Sequence, residues 1–550
     1  MRRYASWLAV VVCLAGILWS AGGVRAADAV VGNGTAASCT EAAFNAALAT
    51  AQTGGGTITF NCGPGVATIP FTVFKTIILG NVTIDGGGRI ILNANNTDRH
   101  FFAGNGVTFW LRHITLRDGS SLVGGGAIEA SGADVILEDV ELLNNYAAIS
   151  GGAIYCYDGT LTIIGTWLEH NAAATGGAIY NDGCEVTIAG ATFIDNEALD
   201  TFGRGGAIAA LAPGEVRLHD SLVQGNRAPD GGGLFVDSGA SAIIVNTRLV
   251  DNGGNHGGGL ENSGTVAITH SVIEGNSVTG SGGGVWNLNG VVSLTQTTVR
   301  NNTAYEGGGI NSYGSHVEMD GVNIAGNVAT GTHGGGIYHG GGTLFIDNAT
   351  ISGNMASATA ANGGGIYQNS DDNLTMTNVT LAENTAGNFG GGLYHYGRYA
   401  ILTNVTIANN IAGVAGDALY EESPMTAENP GVIQMVNSVI LGSANNCGGG
   451  LFDSLGHNLS RGTCAALAAA SDRENYSSDL RLGPLMFNGG APEMHTLLPL
   501  AGSPLINAAD ATRCTDHDQR GRARVGVCDI GAVEYEAGGA FRLYLPMATR

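Results

Sequence analysis

The chain has 550 residues, of which 90 are glycine, 46 acidic and 23 basic, and a single lysine, Lys75, stands among the basic ones. With 44% hydrophobic and 13% charged residues it has ample apolar surface to bury, which excludes a disordered chain; the glycines keep no three-residue period, which excludes collagen. A net charge of −23 leaves no basic patch for nucleic acid or for an anionic membrane surface.

In chain order, Arg2 and Arg3 precede the apolar run Trp7–Trp19, and the small-residue site Val24-Arg25-Ala26 follows. This is the order of a cleavable export signal, so residues 1–26 read as a signal peptide. No transmembrane segment is expected after its removal. Eight cysteines remain, an even number suited to an oxidising compartment. They fall as close neighbours: Cys39 and Cys62, Cys156 and Cys184, Cys447 and Cys464, Cys514 and Cys528. Local pairing is the expectation, although eight cysteines allow 105 schemes. Without a C-x-x-C pair or Cys/His ligand spacing, no metal is expected, and no cofactor.

Residues 27–128 read as an N-terminal cap and first coils. Ser38-Cys39-Thr40-Glu41 has capping-box form, and Phe44, Leu48 and Ala51 then share one helical face. A short helix ending near Gln52 would cover the open end of a solenoid. Strands are expected around Thr57–Phe60, Val82–Asp85, Arg89–Leu92 and Phe109–Leu116.

Residues 129–442 are one repeat read about eleven times. Each unit carries an Asn, in the series Asn145, Asn171, Asn196, Asn226, Asn252, Asn276, Asn302, Asn327, Asn354, Asn384 and Asn410, at steps of 24 to 30 residues. A glycine cluster and one aliphatic residue follow, as in Gly151-Gly152-Ala153-Ile154 and Gly283-Gly284-Val285. Three short β-branched segments per unit, such as Ala178–Tyr180, Glu185–Ile188 and Ala191–Ile194, are separated by Gly, Asn or Asp. Three strands in so short a unit make one turn of a parallel β-helix, and eleven turns give a rod on the order of 50 Å. The glycines fit a sharp corner, and the aliphatic residue points inward. The Asn, able to bond local backbone and to enter the left-handed region, can also bond its counterpart in the next coil as a ladder. Residues 443–536 lose the rhythm and read as a C-terminal closing domain, and 537–550 as a tail.

The GGAI-type and F-x-x-N-type motifs, cleanest at Ile179 and Phe193–Asn196, resemble the repeats of chlamydial polymorphic outer membrane proteins. Cys39–Ala43, Thr57–Phe60 and Ile84–Gly88 are similar to the "CSLREA" segment that opens secreted bacterial β-helix proteins. Asn488-Gly489-Gly490, Gly502–Ile506, Asp518–Gly521 and Cys528–Glu534 resemble a "choice-of-anchor" closing domain. The resemblance implies an all-β, right-handed parallel β-helix of pectin-lyase-like type, exported or held at a bacterial surface. It carries no known reaction. Unlike the chlamydial proteins, the chain shows no long C-terminal β-barrel pattern, so self-insertion is not expected.

That fold hosts lyases, hydrolases and non-catalytic proteins, so particular residues must decide. A Ca²⁺-assisted lyase needs clustered carboxylates and a Lys or Arg base. Arg227 lies near Asp230 and Arg248 near Asp251, with Asp195, Asp200, Asp220 and Asp237 in adjoining coils; solvated turns with ordinary surface pairs are the favoured account of these. His339 and His395 share a coil position with Gln368 between, but without a carboxylate read there no metal site is expected. The residue after the aliphatic position reads Tyr155, Tyr180, Ala209, Phe235, Glu261, Trp286, Asn311, Tyr338, Tyr367, Tyr394 and Tyr420. Strand alternation turns it outward, giving an aromatic stripe that either stacks coil on coil or meets a sugar or protein partner. The reading leans away from an enzyme. It favours an adhesin-like binding rod contacting a polysaccharide or cell-surface ligand, before a polysaccharide lyase or hydrolase, and before a structural envelope component.

Overall fold

A computed structural model describes residues 27–370, 372–422, 431–442, 445–464, 467–491 and 494–536; the expected signal peptide and the tail lie outside them. The chain winds as a right-handed parallel β-helix. One coil runs Ile179–Asp182, Glu185–Ala189, Thr192–Ile194 and Glu197–Ala198. Among the described residues the first of these segments belongs to a 15-stranded sheet, the next two to a 31-stranded sheet and the last to a 12-stranded sheet. These are called here the third, first and second sheets. Three strands per coil were expected, and the structure has four. The fourth is as short as Glu197–Ala198 and built of small or polar residues, so it left no β-branched run to read.

The aliphatic residue after each glycine corner points inward. Ile154, Ile179, Ile208, Leu234, Leu260, Val285, Ile310, Ile337, Ile366, Leu393 and Leu419 are all buried and stack in register. Each such burial stabilises the rod by about 1.5–3 kcal/mol relative to exposure. The corner itself demands glycine twice. Gly176 has φ +66°, and a Cβ on Gly177 would stand 2.1 Å from the carbonyl oxygen of Gly206 in the next coil.

The asparagines are buried from Asn145 to Asn410 and bonded coil to coil. Asn252 donates both its backbone N–H (2.9 Å) and its side-chain N–H (3.1 Å) to Oδ1 of Asn276. Asn276 in turn donates to the carbonyl of Leu249 at 3.0 Å. The left-handed residue at this turn is the one before the Asn: His170 (φ 54°), Asp195 (φ 51°), Asp251 (φ 55°). The Asn itself is needed inside for its amide.

The N-terminal end is closed by the helix Glu41–Gln52, whose buried face is Phe44, Ala47, Leu48 and Ala51. Its cap is Thr40, which accepts from the Ala43 N–H at 3.2 Å, and not Ser38. Ser38 instead closes the preceding 3₁₀ turn by bonding Thr35. Glu41 reaches away from the helix to Thr72 and to the buried Lys75. Burial pulls its pKa up, but the bonds from Lys75 and Thr72 outweigh that and hold it at about 2. The strands expected at Val82–Asp85 and Arg89–Leu92 are one strand, Val82–Asn93, with an irregularity between Asp85 and Ile90.

The disulfides are Cys39–Cys62, Cys156–Cys184, Cys447–Cys464 and Cys514–Cys528. Cys447–Gly449, Leu451–Ser454 and Leu459–Arg461 form a final coil. The chain then folds back along the outer face of the first sheet. Gln519 bonds Ala349 O and Thr350 Oγ1, both at 2.8 Å, and accepts from Thr380 Oγ1. The Ala532 N–H donates to Thr406 Oγ1 at 2.9 Å. Asp518 ties this unit together, accepting from the Arg520 guanidinium at 2.6 Å and from the Arg522 and Glu534 N–H groups. The segment read as a closing region therefore clamps the side of the rod as well as following its last coil.

Candidate functional site

The outward column of the third sheet is the aromatic stripe, and it keeps strict register from Tyr155 to Tyr420. Its rings stack along the rod axis. Tyr338 and Tyr367 have centroids 5.0 Å apart, Tyr367 and Tyr394 4.8 Å, and Tyr394 and Tyr420 5.7 Å, all nearly parallel. Tyr155 and Tyr180 meet at 5.6 Å.

A second column flanks the stripe, made by the residue just before each glycine corner. Four of these side chains lie on the stripe residue of the following coil. Arg204 sits over Phe235 at 4.7 Å, His256 on Trp286 at 4.4 Å, His333 on Tyr367 at 4.3 Å and Phe389 on Tyr420 at 4.3 Å. Ring faces are thus occupied by neighbours, and Phe235, Tyr367 and Tyr394 are buried. Tyr155, Tyr180, Tyr338, Tyr420 and Trp286 are half-buried and keep part of their surface outward. Where a neighbour covers the ring, a sugar would meet its edge in place of the open face expected from the sequence. The hydroxyls stay protonated: burial, then Asp182, pushes Tyr155 up to about 12, and burial, then Glu306, does the same for Tyr338.

The same one-coil offset places Asp230 beside Glu261. Glu261 occupies a stripe position between Phe235 and Trp286, is 4% exposed, and its Oε2 has no hydrogen-bond partner. Burial, with Asp230 adding to it, pushes its pKa up to about 9. Asp230 is also raised by burial, against the pull of His256 and Arg204. Glu261 is therefore a neutral acid at pH 7, beside a half-buried carboxylate and flanked by an Arg and a His. Sequence reading named Asp230 and passed Glu261 over as a gap in the stripe.

The wider acidic–Arg patch read from the sequence separates onto different faces. Asp195, Asp220 and Asp251 are left-handed turn residues on the first sheet, Arg248 lies 3.8 Å from Glu274 there, and Asp200 stands on a loop of the second sheet. The interior position of His339, Gln368 and His395 does include a carboxylate, contrary to the sequence reading: Glu421 is their register partner in the next coil and contacts His395 Nδ1. No group of three His, Cys, Asp or Glu side chains converges as a metal set among the described residues, and no helix there is long and apolar enough to cross a membrane.

The Chlamydia polymorphic membrane protein (Chlamydia_PMP) repeat matches residues 139–157, a stretch holding one ladder Asn, one glycine corner and the first aromatic of the stripe. The chain is a parallel β-helix carrying repeats of this type. No curated protein sequence matches it. Among solved structures it is similar to PfbA, a surface adhesin of Streptococcus pneumoniae, at 11% identity and a TM-score of 0.30, covering 86% of this chain and 99% of that one. It is also similar to the periplasmic alginate epimerase AlgG (11%, TM-score 0.24, 63% and 74% covered) and to pectate lyase Pel9A (14%, TM-score 0.23, 90% and 91% covered). Identities and scores this low carry no argument about what this chain does.

Proposed function

We propose that this protein is an adhesin-like binding rod, acting outside the cell or at its surface, that holds a glycan or another surface ligand along its length. The carrying observation is the unbroken register of the stripe, which places one residue of this outward column in each coil, about every 4.8 Å, eight of the eleven being aromatic. A polymer lying along the axis would meet aromatic contacts in two runs, at Tyr155–Tyr180 and from Tyr338 to Tyr420. Four disulfides and a chlamydial-type repeat fit a protein at or beyond the cell surface. The hydroxyls of Tyr338 and Tyr420 would serve as the polar contacts, since that of Tyr155 already donates to Asp182 at 3.2 Å and that of Tyr394 to Glu422.

The test removes hydroxyls and leaves the stack intact. The double variant Tyr338→Phe/Tyr420→Phe is expected to keep its thermal unfolding profile and to lose about half to nine-tenths of its affinity for a retained polysaccharide, the scale of one or two hydrogen bonds. Unchanged retention in the folded variant removes the stripe from the contact.

A second reading, cleavage of a polysaccharide, is favoured by the Asp230–Glu261 pair alone, since a neutral acid beside a carboxylate is the pairing that glycosidic bond cleavage uses. Oligosaccharides released from a polymer panel by the native protein, and not by Glu261→Gln, would establish it. Intact polymers would dismiss it.

A further inference from the structure

The outward column of the second sheet differs from the stripe, because its side chains have open faces. Around the rod it reads Tyr146, Ala172, Glu197, Arg227, Gly253, Ser277 and on to Ile411, one residue per coil. At Gly253 the column carries no side chain. Its neighbour Gly254 cannot gain one, because a Cβ there would lie 1.7 Å from the Ala228 carbonyl oxygen. The coil two steps earlier has the opposite feature. Its spacing from Asn196 to Asn226 is 30 residues against 26 for the next, and the extra residues form a ledge at 199–203. That ledge is closed by Gly203 N–H to Asp200 O at 2.9 Å and by Phe202 N–H to Asp200 Oδ1 at 3.0 Å.

Ledge and bare backbone together make a cleft of about 370 Å³, within the range of small-ligand sites. Leu199, Asp200 and Thr201 line one side, Glu197 and Arg227 the middle, and Gly253–Asn255 the far side. Glu197 and Arg227 are register partners across the sheet. Phe202, on the same ledge, is 80% exposed and has no ring or cation stacked on it among the described residues.

We infer that this cleft binds one unit of a neutral saccharide, resting on the binding-rod reading and giving it a ligand class and an anchor. The polar groups are mixed: Arg227 only donates, Glu197 and Asp200 only accept, and Thr201 and Asn255 do both. Sugar hydroxyls, which donate and accept, satisfy such a set. A uronate would face two carboxylates, and an ammonium sugar drawn to those carboxylates would have to sit beside Arg227, their positive neighbour in the cleft. Leu199, which lines the cleft and is 53% exposed, supplies apolar contact for the C–H face of a pyranose. One glycine corner away the stripe carries Ala209, Phe235 and Glu261, with Tyr180 one coil before them and Tyr338 three coils after, so an oligomer anchored here must run along the rod to reach a stripe hydroxyl.

The test titrates the full-length protein with neutral hexose oligosaccharides, and with oligogalacturonate and chitosan oligomers as charged controls. Leu199→Ser and Arg227→Gln, both on exposed side chains that line the cleft, are compared with Tyr338→Phe/Tyr420→Phe. The expected result is binding of a neutral oligosaccharide, weakened tenfold or more by each cleft variant and two- to tenfold by the stripe variant. Loss in the stripe variant with both cleft variants at wild-type affinity overturns the cleft and leaves the rod reading standing. Preference for either charged oligomer overturns the ligand class. No binding to any oligomer overturns both.

Discussion

Among the buried polar columns that run along the inside of this rod, two are built on opposite terms. In the asparagine ladder every amide oxygen and nitrogen has a partner, because one residue type at one turn meets its copy in the next coil. The other column lies behind the third sheet: Asn262, Asn287, Ser312, His339, Gln368, His395 and Glu421, in register and buried. Its first members bond one another, as Asn262 to Asn287 at 2.8 Å. Further on, both polar atoms of Gln368, Nδ1 of His339 and Nε2 of His395 find no protein partner. A ladder of identical residues satisfies itself by translation, whereas a column of unlike residues leaves remainders.

Substitutions should separate the two. The largest effect is expected for Asn276→Leu, which strands the Leu249 carbonyl and both donors of Asn252. Its coils should lose about 2–4 kcal/mol of stability, seen as faster amide exchange in the neighbouring strands. Exchange rates equal to wild type would refute the ladder as a source of stability.

Next come two acids with opposite signs. Glu41 has a folded pKa near 2, below its unfolded value, so its contribution is full above about pH 4.3 and is lost as pH falls toward 2. The N-terminal cap should therefore loosen over that interval. Glu41→Gln should be less stable than the native protein at pH 6 and converge with it near pH 2; parallel melting curves at both pH values would contradict this. Glu261 has a folded pKa near 9, above its unfolded value. Its unfolded form ionises first, so stability falls as pH rises from about 4.3 toward 9. Glu261→Gln should melt higher than the native protein at pH 8 and alike at pH 4. A native protein whose melting is flat between those values would refute the buried neutral acid.

The smallest effect belongs to Gln368→Leu. Removing an amide that has no partner should leave stability within about 1 kcal/mol of native, on the stabilising side. A loss comparable to that of Asn276→Leu would erase the contrast between the columns.

Much of this was legible in the residues. The period, the glycine corner, the inward aliphatic and the recurring Asn each follow from a demand made once per coil, so repetition exposes them. The fourth strand was not legible, because two small residues carry no pattern. The docking of the C-terminal unit left a signal that could have been read. The outward positions of the first sheet change from Glu274 and Arg300 to Ser352, Ala382 and Ala408, with Thr350, Thr380 and Thr406 beside them, and these are the residues the returning chain covers. The Asp230–Glu261 pair was hidden because its members belong to different coils and different columns.

The sequence by itself determined the coil, since a sharp corner needs glycine and a stacked interior needs one aliphatic residue at a fixed place. It also determined that an aromatic column faces outward. Only the tertiary structure decided what that column has left to offer. Whether a ring face is open depends on the side chain of the preceding coil, which reaches it across the glycine corner and some 30 residues of intervening chain. No local pattern records such a contact, and it covers the rings of Phe235, Trp286, Tyr367 and Tyr420 while the cleft between the ledge and Gly253 stays open.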